Sequence, residues 1–530
     1  MTPRDVKSRS GTAEREEIAA AIARILDIPE DTVLADMARE DATWIELKRR
    51  VGKEQADAMK AYFDDHEVGG ISIDREYRRV YPEGRLAAQV LGFVTNDGIG
   101  TLGIEYQYNR QLTGEPGFVY ALTDNYSYRT GLPDTSPVSL AARDGANLVL
   151  TLDIGLQRIA EAELKRSVDI YSVREGGLVL VMDPYTGDIL AMAQNPDFDP
   201  AAPAARPIEW SLDKWNPSDK EEKKYLGEVL WRNRAITDTY EPGSTFKAFT
   251  AAIALEENLA REDEIFDDRP VQVADYTIHC WKKPGHHGLE RLDQAFWNSC
   301  NPVFVELSRR IGIDRFYSYV RSFGFMGTTG IDLPGEGTGL MHETPGLIDM
   351  ACLAFGEQST VTPVALLTAY CAFANGGALV RPRIVKAVTD ANGAVLQEYR
   401  TETVRRVVSE QTATRIRNLM EGVVLHGTGS AGYVEGYGVA GKTSKSERDD
   451  DEKIISFAAL APADQPVLCI LVVLSAADRD LTSAAAAQTT ARILSSSLEY
   501  LGVPREYTDK DVSLLIRTTP APDLAGMTYL

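Results

Sequence analysis

The chain has 530 residues, 44% of them hydrophobic and 25% charged, and a formal net charge of -22. That length points to about two to four domains with ample apolar material for a core. The acidic balance excludes a nucleic-acid-binding surface, which needs a basic face, and the longest strongly apolar run, Val467 to Leu474, is far short of the roughly 20 residues that span a bilayer.

The opening, MTPRDVKSRSGT, is polar and is no secretory leader. Ile18, Ile22, Ile25 and Leu26 follow at helical spacing, with Thr12 as the expected N-cap. The glycine- and aromatic-rich 101–117 reads as loop plus short helix. ANLVLTLD (146–153) has a strand pattern, and IGLQRIAEAELKRSV after it a helical one. GGLVLVMDPYTGDILAMAQNP (176–196) reads as two strands around the turn Pro184-Tyr185-Thr186-Gly187. A helix-rich middle runs to about residue 425. Strands return over 457–476, and SAAAAQTTARILSSSLEYLG closes with a helix before a linker, VPREYTDKD. Strands at both ends of a helical middle predict one sheet with helices on its faces.

The chemistry concentrates at YEPGSTFKAFT, residues 240–250. Pro242-Gly243 ends the preceding segment, and Phe246, Phe249 and Ile253 mark the apolar face of a helix. Ser244 then sits at a helix N-terminus with Lys247 one turn on, beside it. The N–H groups and partial positive charge there favour an oxyanion on an attacked carbonyl. A desolvated Lys247 has a lowered pKa, so its neutral amine can take the Ser244 proton. The spacing alone is equally met by a capping serine and a surface lysine. Two further stretches alter the balance: Ser299-Cys300-Asn301 and Lys442-Thr443-Ser444. Together with Ser244-x-x-Lys247 they line up, in order, with the Ser-x-x-Lys, Ser-Asp-Asn and Lys-Thr-Gly set of β-lactamases and penicillin-binding proteins.

On these motifs the chain resembles the class B penicillin-binding proteins, serine D,D-transpeptidases of cell-wall synthesis, over most of residues 75–500. RRVYPEGRLAAQVLGFVTNDGIGTLGIEYQYNRQLTGEPG (78–117) is similar to their membrane-proximal module, FGEQSTVTPVALLTAYCAFANGG (355–377) and LHGTGSAGYVEGYGVAGKTS (425–444) to the approach to the third motif, and APDLAGMTYL (521–530) to the first residues of a PASTA repeat. The arrangement is most like spore-cortex and division-type members. The resemblance implies an α+β fold: a transpeptidase domain at 146–505, its antiparallel sheet covered by helices on both faces, after an elongated pedestal (dimerisation-type) module at 1–145, with linker and truncated PASTA start at 506–530. The family's single N-terminal transmembrane helix is not seen, which implies a trimmed chain whose parent sits on the extracytoplasmic face of the cell membrane.

The same resemblance implies roles. Ser244 attacks the carbonyl between the terminal D-alanines of a stem peptide, with Lys247 as base. Ser299 relays a proton to the leaving amine, Asn301 bonds the substrate backbone, and Lys442 and Thr443 hold its carboxylate. The N–H groups of Ser244 and Lys445 form the oxyanion hole. β-Lactams acylate Ser244, and a membrane glycosyltransferase supplies glycan strands. Ser444 replaces the family's glycine, and Lys445 its following threonine. A serine there is expected to crowd the substrate slightly, while Lys445 replaces the lost ligand if it turns into the cleft. The other readings are an impaired scaffold or sensor beside a glycosyltransferase, and a β-lactamase or D,D-carboxypeptidase. No metal or cofactor is expected: the six histidines show no ligand spacing, and the adjacent His286 and His287 should point apart. Cys280 and Cys300 are a candidate redox pair, against the alternative of two small buried residues that never meet. Cys352, Cys371 and Cys469 read as core.

Overall fold

A computed structural model describes residues 1–506 except positions 9, 75, 121–137, 208–214, 283–284, 448–452 and 478–480. The stretch read as the start of a PASTA repeat and the middle of the acidic run after Ser446 lie outside the described residues. The chain divides into two compact units, 1–80 and 81–530.

In the first unit, strands β1 (Lys7–Ser8) and β2 (Val68–Gly69) pair antiparallel, and between them run helices α1 (Arg15–Leu26), α2 (Glu30–Met37) and α3 (Lys53–Asp65). Ile18, Ile22 and Leu26 bury one stripe of α1 against Val33, Met37 and Met59, as their spacing predicts. The cap differs from expectation. Glu14 occupies the N-cap position, its N–H donating to Glu17 at 3.0 Å. The Thr12 hydroxyl is taken by Ser10 at 2.8 Å instead. A capping box two residues downstream outcompetes the lone threonine.

In the second unit, α4 (Ile154–Tyr171) precedes the hairpin β3 (Gly177–Met182) and β4 (Ile189–Asn195). The helical middle contains α5 (Lys247–Glu256), α6 (Asn301–Ile311), α7 (Pro363–Ala374) and α8 (Glu410–His426). Strands β5 (Ala440–Glu447), β6 (Lys453–Ala461) and β7 (Leu468–Ala477) and helix α9 (Ala484–Tyr500) complete it. The sheet order is β5-β6-β7-β3-β4, every neighbouring pair antiparallel.

Continuous apolar runs in β3, β6 and β7 follow from burial on both faces, since successive strand residues point to opposite sides. Leu178, Leu180, Ala458, Leu460, Leu471 and Val473 face the core shared with α5, α6, α7 and α8. Val179, Val181, Phe457, Ala459, Ile470 and Val472 face the core under α4 and α9. Helix α5 lies inside the first core, with every residue from Lys247 to Leu255 buried. A helix apolar all round needs such a place, and Lys247 is the one charged side chain among those buried residues. Strand β5 is the outer strand on its side of the sheet, next to the turn that opens α5.

Candidate active site

Gly243–Phe246 forms one 3-10 turn that feeds directly into α5. Chain segments on either side hold it. Gly243 N–H donates to Gly356 O at 2.9 Å, Tyr240 and Val361 exchange backbone hydrogen bonds, and Tyr370 OH donates to Thr245 O at 2.7 Å. Gly356 has φ +91°, and a Cβ there would lie 1.9 Å from Gly243 O, so only glycine lets these two backbones touch.

The clamp brings Ser244 and Lys247 together as their spacing predicts. Lys247 Nζ is 3.0 Å from Ser244 Oγ, 2.8 Å from Ser299 O, 3.0 Å from Ser299 Oγ and 2.6 Å from Asn301 Oδ1. Two of those four, the Ser299 carbonyl and the Asn301 amide oxygen, can only accept. A neutral amine gives its two N–H bonds to them and keeps its lone pair for a hydroxyl. Burial pushes the Lys247 pKa down to about 7, because a desolvated ammonium is disfavoured.

Lys442 is also fully buried, and its Nζ lies 2.9 Å from Ser299 Oγ. Its pKa is lowered by burial first and by Lys247 second. The Ser299 hydroxyl therefore bridges two lysines. Ser299 has φ +58°, a left-handed turn at the end of the short helix Leu292–Trp297. For a non-glycine residue that conformation is unfavourable by roughly 1–2 kcal/mol, and it joins that helix to α6, which Asn301 begins.

Strand β5 carries the third motif. Thr443 is buried, its hydroxyl 3.2 Å from that of Thr428. The expectation that Ser444 crowds a substrate is corrected by its direction. Its side chain is buried, on the same face of the strand as Lys442, and donates to Pro242 O at 2.7 Å, against the turn that carries Ser244. Lys445 is partly exposed and pairs with Glu447 at 3.1 Å.

Cys280 and Cys300 are both buried free thiols, as are Cys352, Cys371 and Cys469. The reading that the first two never meet is wrong. Their sulfurs, Asp268 and His287 supply four ligand-type atoms that all lie within 4.8 Å of one another. Burial raises both thiol pKa values. The adjacent histidines do not point apart either: His286 Nδ1 lies 2.7 Å and His287 Nδ1 3.3 Å from the Asp268 carboxylate. They occupy a loop, not a strand or helix, with Gly285 and Gly288 at φ near +95°. Burial opposes ionisation of Asp268, yet the N–H groups of His287 and Gly288 and the His286 ring outweigh it and hold its pKa low.

Sequence reasoning gave no role to Gly356, Tyr370, Thr428 or Trp297. FGEQST and LHGTGS carried the first and third within stretches noted only for resemblance. Thr428 N–H donates to Trp297 O at 3.1 Å, and Gly422 packs so closely that a Cβ would meet the Trp297 indole at 2.0 Å. Helix α8 is thereby fixed against the short helix Leu292–Trp297.

The model of the penicillin-binding protein transpeptidase domain matches residues 177–495, and that of the penicillin-binding protein dimerisation domain residues 2–150. The chain is a class B penicillin-binding protein. It is 34% identical to Stage V sporulation protein D of Bacillus subtilis over 99% of this chain and 79% of that one. It is 29% identical to peptidoglycan D,D-transpeptidase FtsI of Escherichia coli, over 89% and 75%. Penicillin-binding protein 3 of Mycobacterium tuberculosis, solved with ampicillin, superposes with a TM-score of 0.68 at 29% identity, over 82% of this chain and 91% of that one. This penicillin-binding protein has the expected α+β fold, an N-terminal dimerisation-type module and a transpeptidase domain. It is a serine-type peptidoglycan D,D-transpeptidase.

Proposed function

We propose that transpeptidation proceeds through an acyl-enzyme on Ser244. The observation that carries this is the contact of its hydroxyl with Lys247, a fully buried amine whose pKa is lowered to about 7. Ser244 Oγ attacks the carbonyl between the two terminal D-alanines while Lys247 takes its proton. Ser299, bonded to both lysines, passes a proton to the departing D-alanine amine. The Asn301 amide oxygen is held by Lys247, which leaves its N–H2 to donate to a substrate carbonyl. The outer edge of β5 offers backbone groups to an extended peptide, with Thr443 and the Lys442 charge for its terminal carboxylate. The N–H groups of Ser244 and Lys445 stabilise the oxyanion. An amine of a second stem peptide then attacks the ester, forming the cross-link and freeing Ser244.

The functional division is a pedestal module at 1–145 and a catalytic domain at 146–505, a reading supported by the family matches at 2–150 and 177–495. The protein works on the outer face of the cell membrane beside a glycosyltransferase that makes the strands it joins. Among the described residues no helix is long and apolar enough to cross a membrane.

Fluorescent penicillin followed by intact-mass measurement tests the acyl-enzyme. The expected result is one long-lived adduct, absent from Ser244→Ala. Equal labelling of that variant would place the nucleophile elsewhere. Rapid release of hydrolysed drug would mean a β-lactamase, and no labelling of the folded protein an inactive scaffold.

A further inference from the structure

The segment 265–291 beside the active site is held by little regular structure. Its strands are three residues each: Ile265–Asp267 pairs with Leu289–Arg291, and Val271–Val273 with Tyr276–Ile278. Ribbons this short are marginal without further support. Asp268 leaves the first ribbon, Cys280 follows the second, His287 lies in the loop between them, and Cys300 caps α6. All four are nine-tenths buried or close to it, with the His287 side chain 11% exposed.

Their spacing fits a cation. A tetrahedral zinc site with bonds of about 2.0–2.3 Å sets its ligand atoms roughly 3.3–3.8 Å apart. Here His287 Nδ1 is 3.3 Å from both Cys280 Sγ and Asp268 Oδ2, and no pair of the four exceeds 4.8 Å. The surroundings also fit. Asp268 Oδ1 is oriented by His286 Nδ1 at 2.7 Å and by the Gly288 N–H at 2.9 Å, the outer hydrogen bonds that ligating carboxylates receive. Independently, Glu290 is 5% exposed, and its Oε1, 3.9 Å from His287 Nδ1, has no hydrogen-bond partner. Among the described residues the ion-pair partners of Asp268 and Glu290 are the rings of His286 and His287 alone. Two buried carboxylates thus adjoin the two thiols and, among the described residues, have no lysine or arginine paired to them. A doubly charged ion resolves that.

We propose that Asp268, Cys280, His287 and Cys300 bind a divalent transition metal, zinc by ligand class, and that the ion fixes the turn carrying Ser299. Two thiolates with imidazole and carboxylate select a borderline-soft ion over calcium or magnesium, which take oxygen ligands. Binding releases the two thiol protons and changes no oxidation state. Cys300 follows Ser299 directly, so anchoring its sulfur to three other segments holds the strained Ser299 backbone against relaxation. The site is structural, with four protein ligands and no open position. A metal-bound pair of thiols is also unavailable for a disulfide, so this assignment and a redox role for Cys280 and Cys300 exclude one another in the working state.

The test uses the tag-free chain, expressed with zinc and purified under reductant, then stripped of loosely held metal. Elemental analysis should give about one zinc per chain, and cobalt(II) exchange should give thiolate charge-transfer absorption with the intense visible bands of tetrahedral coordination. Cys280→Ser and Cys300→Ser should lose the charge-transfer band in steps, while His342→Ala, far from the cluster in sequence, keeps metal and spectrum. His286→Ala should weaken zinc about 10- to 100-fold without altering the cobalt bands, as expected for an outer partner. Folding of each variant is read from Ser244 labelling by penicillin and from circular dichroism. Wild-type protein that holds no stoichiometric metal with both thiols reduced overturns the proposal. So does cobalt bound without thiolate absorption, or a Cys280–Cys300 disulfide in protein made with ample zinc. The wild-type readings decide the matter even where a cysteine variant fails to fold, and none of them depends on transpeptidase turnover.

Discussion

Ser299 and Cys300 are neighbours in sequence and enter two buried polar clusters of opposite character. On the Ser299 side, two lysines with no ion-paired carboxylate among the described residues share one hydroxyl. On the Cys300 side, two thiols and a histidine surround Asp268, with Glu290 beside them. The first cluster is assembled by regular elements: α5 supplies Lys247, the start of α6 supplies Asn301, and β5 supplies Lys442. The second is assembled by loops. Buried cations without counterions are costly to keep charged, and there the fold uses that cost to make a base. The second cluster holds its groups in place without offering one to a substrate.

The largest way to break the comparison is to remove the base. Lys247→Ala should slow penicillin acylation by about 10²–10⁴-fold, the range of a general base, and the loss of its fully buried hydrocarbon stem is read separately as a drop in stability. Stopped-flow acylation with the thermal midpoint as control measures it. A fall under tenfold would move the proton-accepting role to another group. Combining Lys247→Ala with Lys442→Ala should cost far less than the two single losses added, since both act through Ser299.

Gly356→Ala attacks the clamp and not the chemistry. A Cβ 1.9 Å from Gly243 O, on a residue at φ +91°, forces the Ser244 turn to move. Loss of about 3 kcal/mol or more is expected, the scale of backbone strain at a special conformation, read from denaturant midpoints. A variant of wild-type stability would mean that the two segments are less tightly joined than their contact implies.

The pH profile is the next smaller effect. The Lys247 pKa is lowered to about 7 by burial, so the neutral amine dominates above that value and the ammonium below it. Acylation should therefore rise with pH, about tenfold from pH 6 to pH 8, and flatten beyond. A flat profile over that range would remove Lys247 as the titrating base.

The same contrast explains what could be read from the sequence. The hairpin 176–196 and the strands of 457–476 were legible because unbroken apolar runs between turn residues leave few other structures. Ser244, Lys247 and Lys442 were legible because a helix turn or a strand repeat fixes where a motif points. Asp268 and His287 were not, since no period governs a loop bent at Gly285 and Gly288. Even inside the third motif, the residue types did not tell what Ser444 would meet. Ser444 turns to a carbonyl that sits 202 residues earlier in the chain.

That carbonyl makes Ser444→Gly the smallest and sharpest test. The family pattern has glycine at this place, so restoring it should help if serine obstructs the substrate. The observed direction argues otherwise. Ser444 Oγ donates to Pro242 O at 2.7 Å with its side chain buried, and deletion leaves that carbonyl one donor poorer. The variant should lose about 0.5–1.5 kcal/mol of stability, the net worth of one hydrogen bond, with a further small loss from glycine's freedom in a strand. Acylation should stay within about threefold of wild type, a change of roughly 0.6 kcal/mol in barrier. A tenfold faster variant would show that the hydroxyl, through Pro242 O, holds the Ser244 turn away from its best position. The serine would then be a brake on the lysine cluster instead of a strut beneath it.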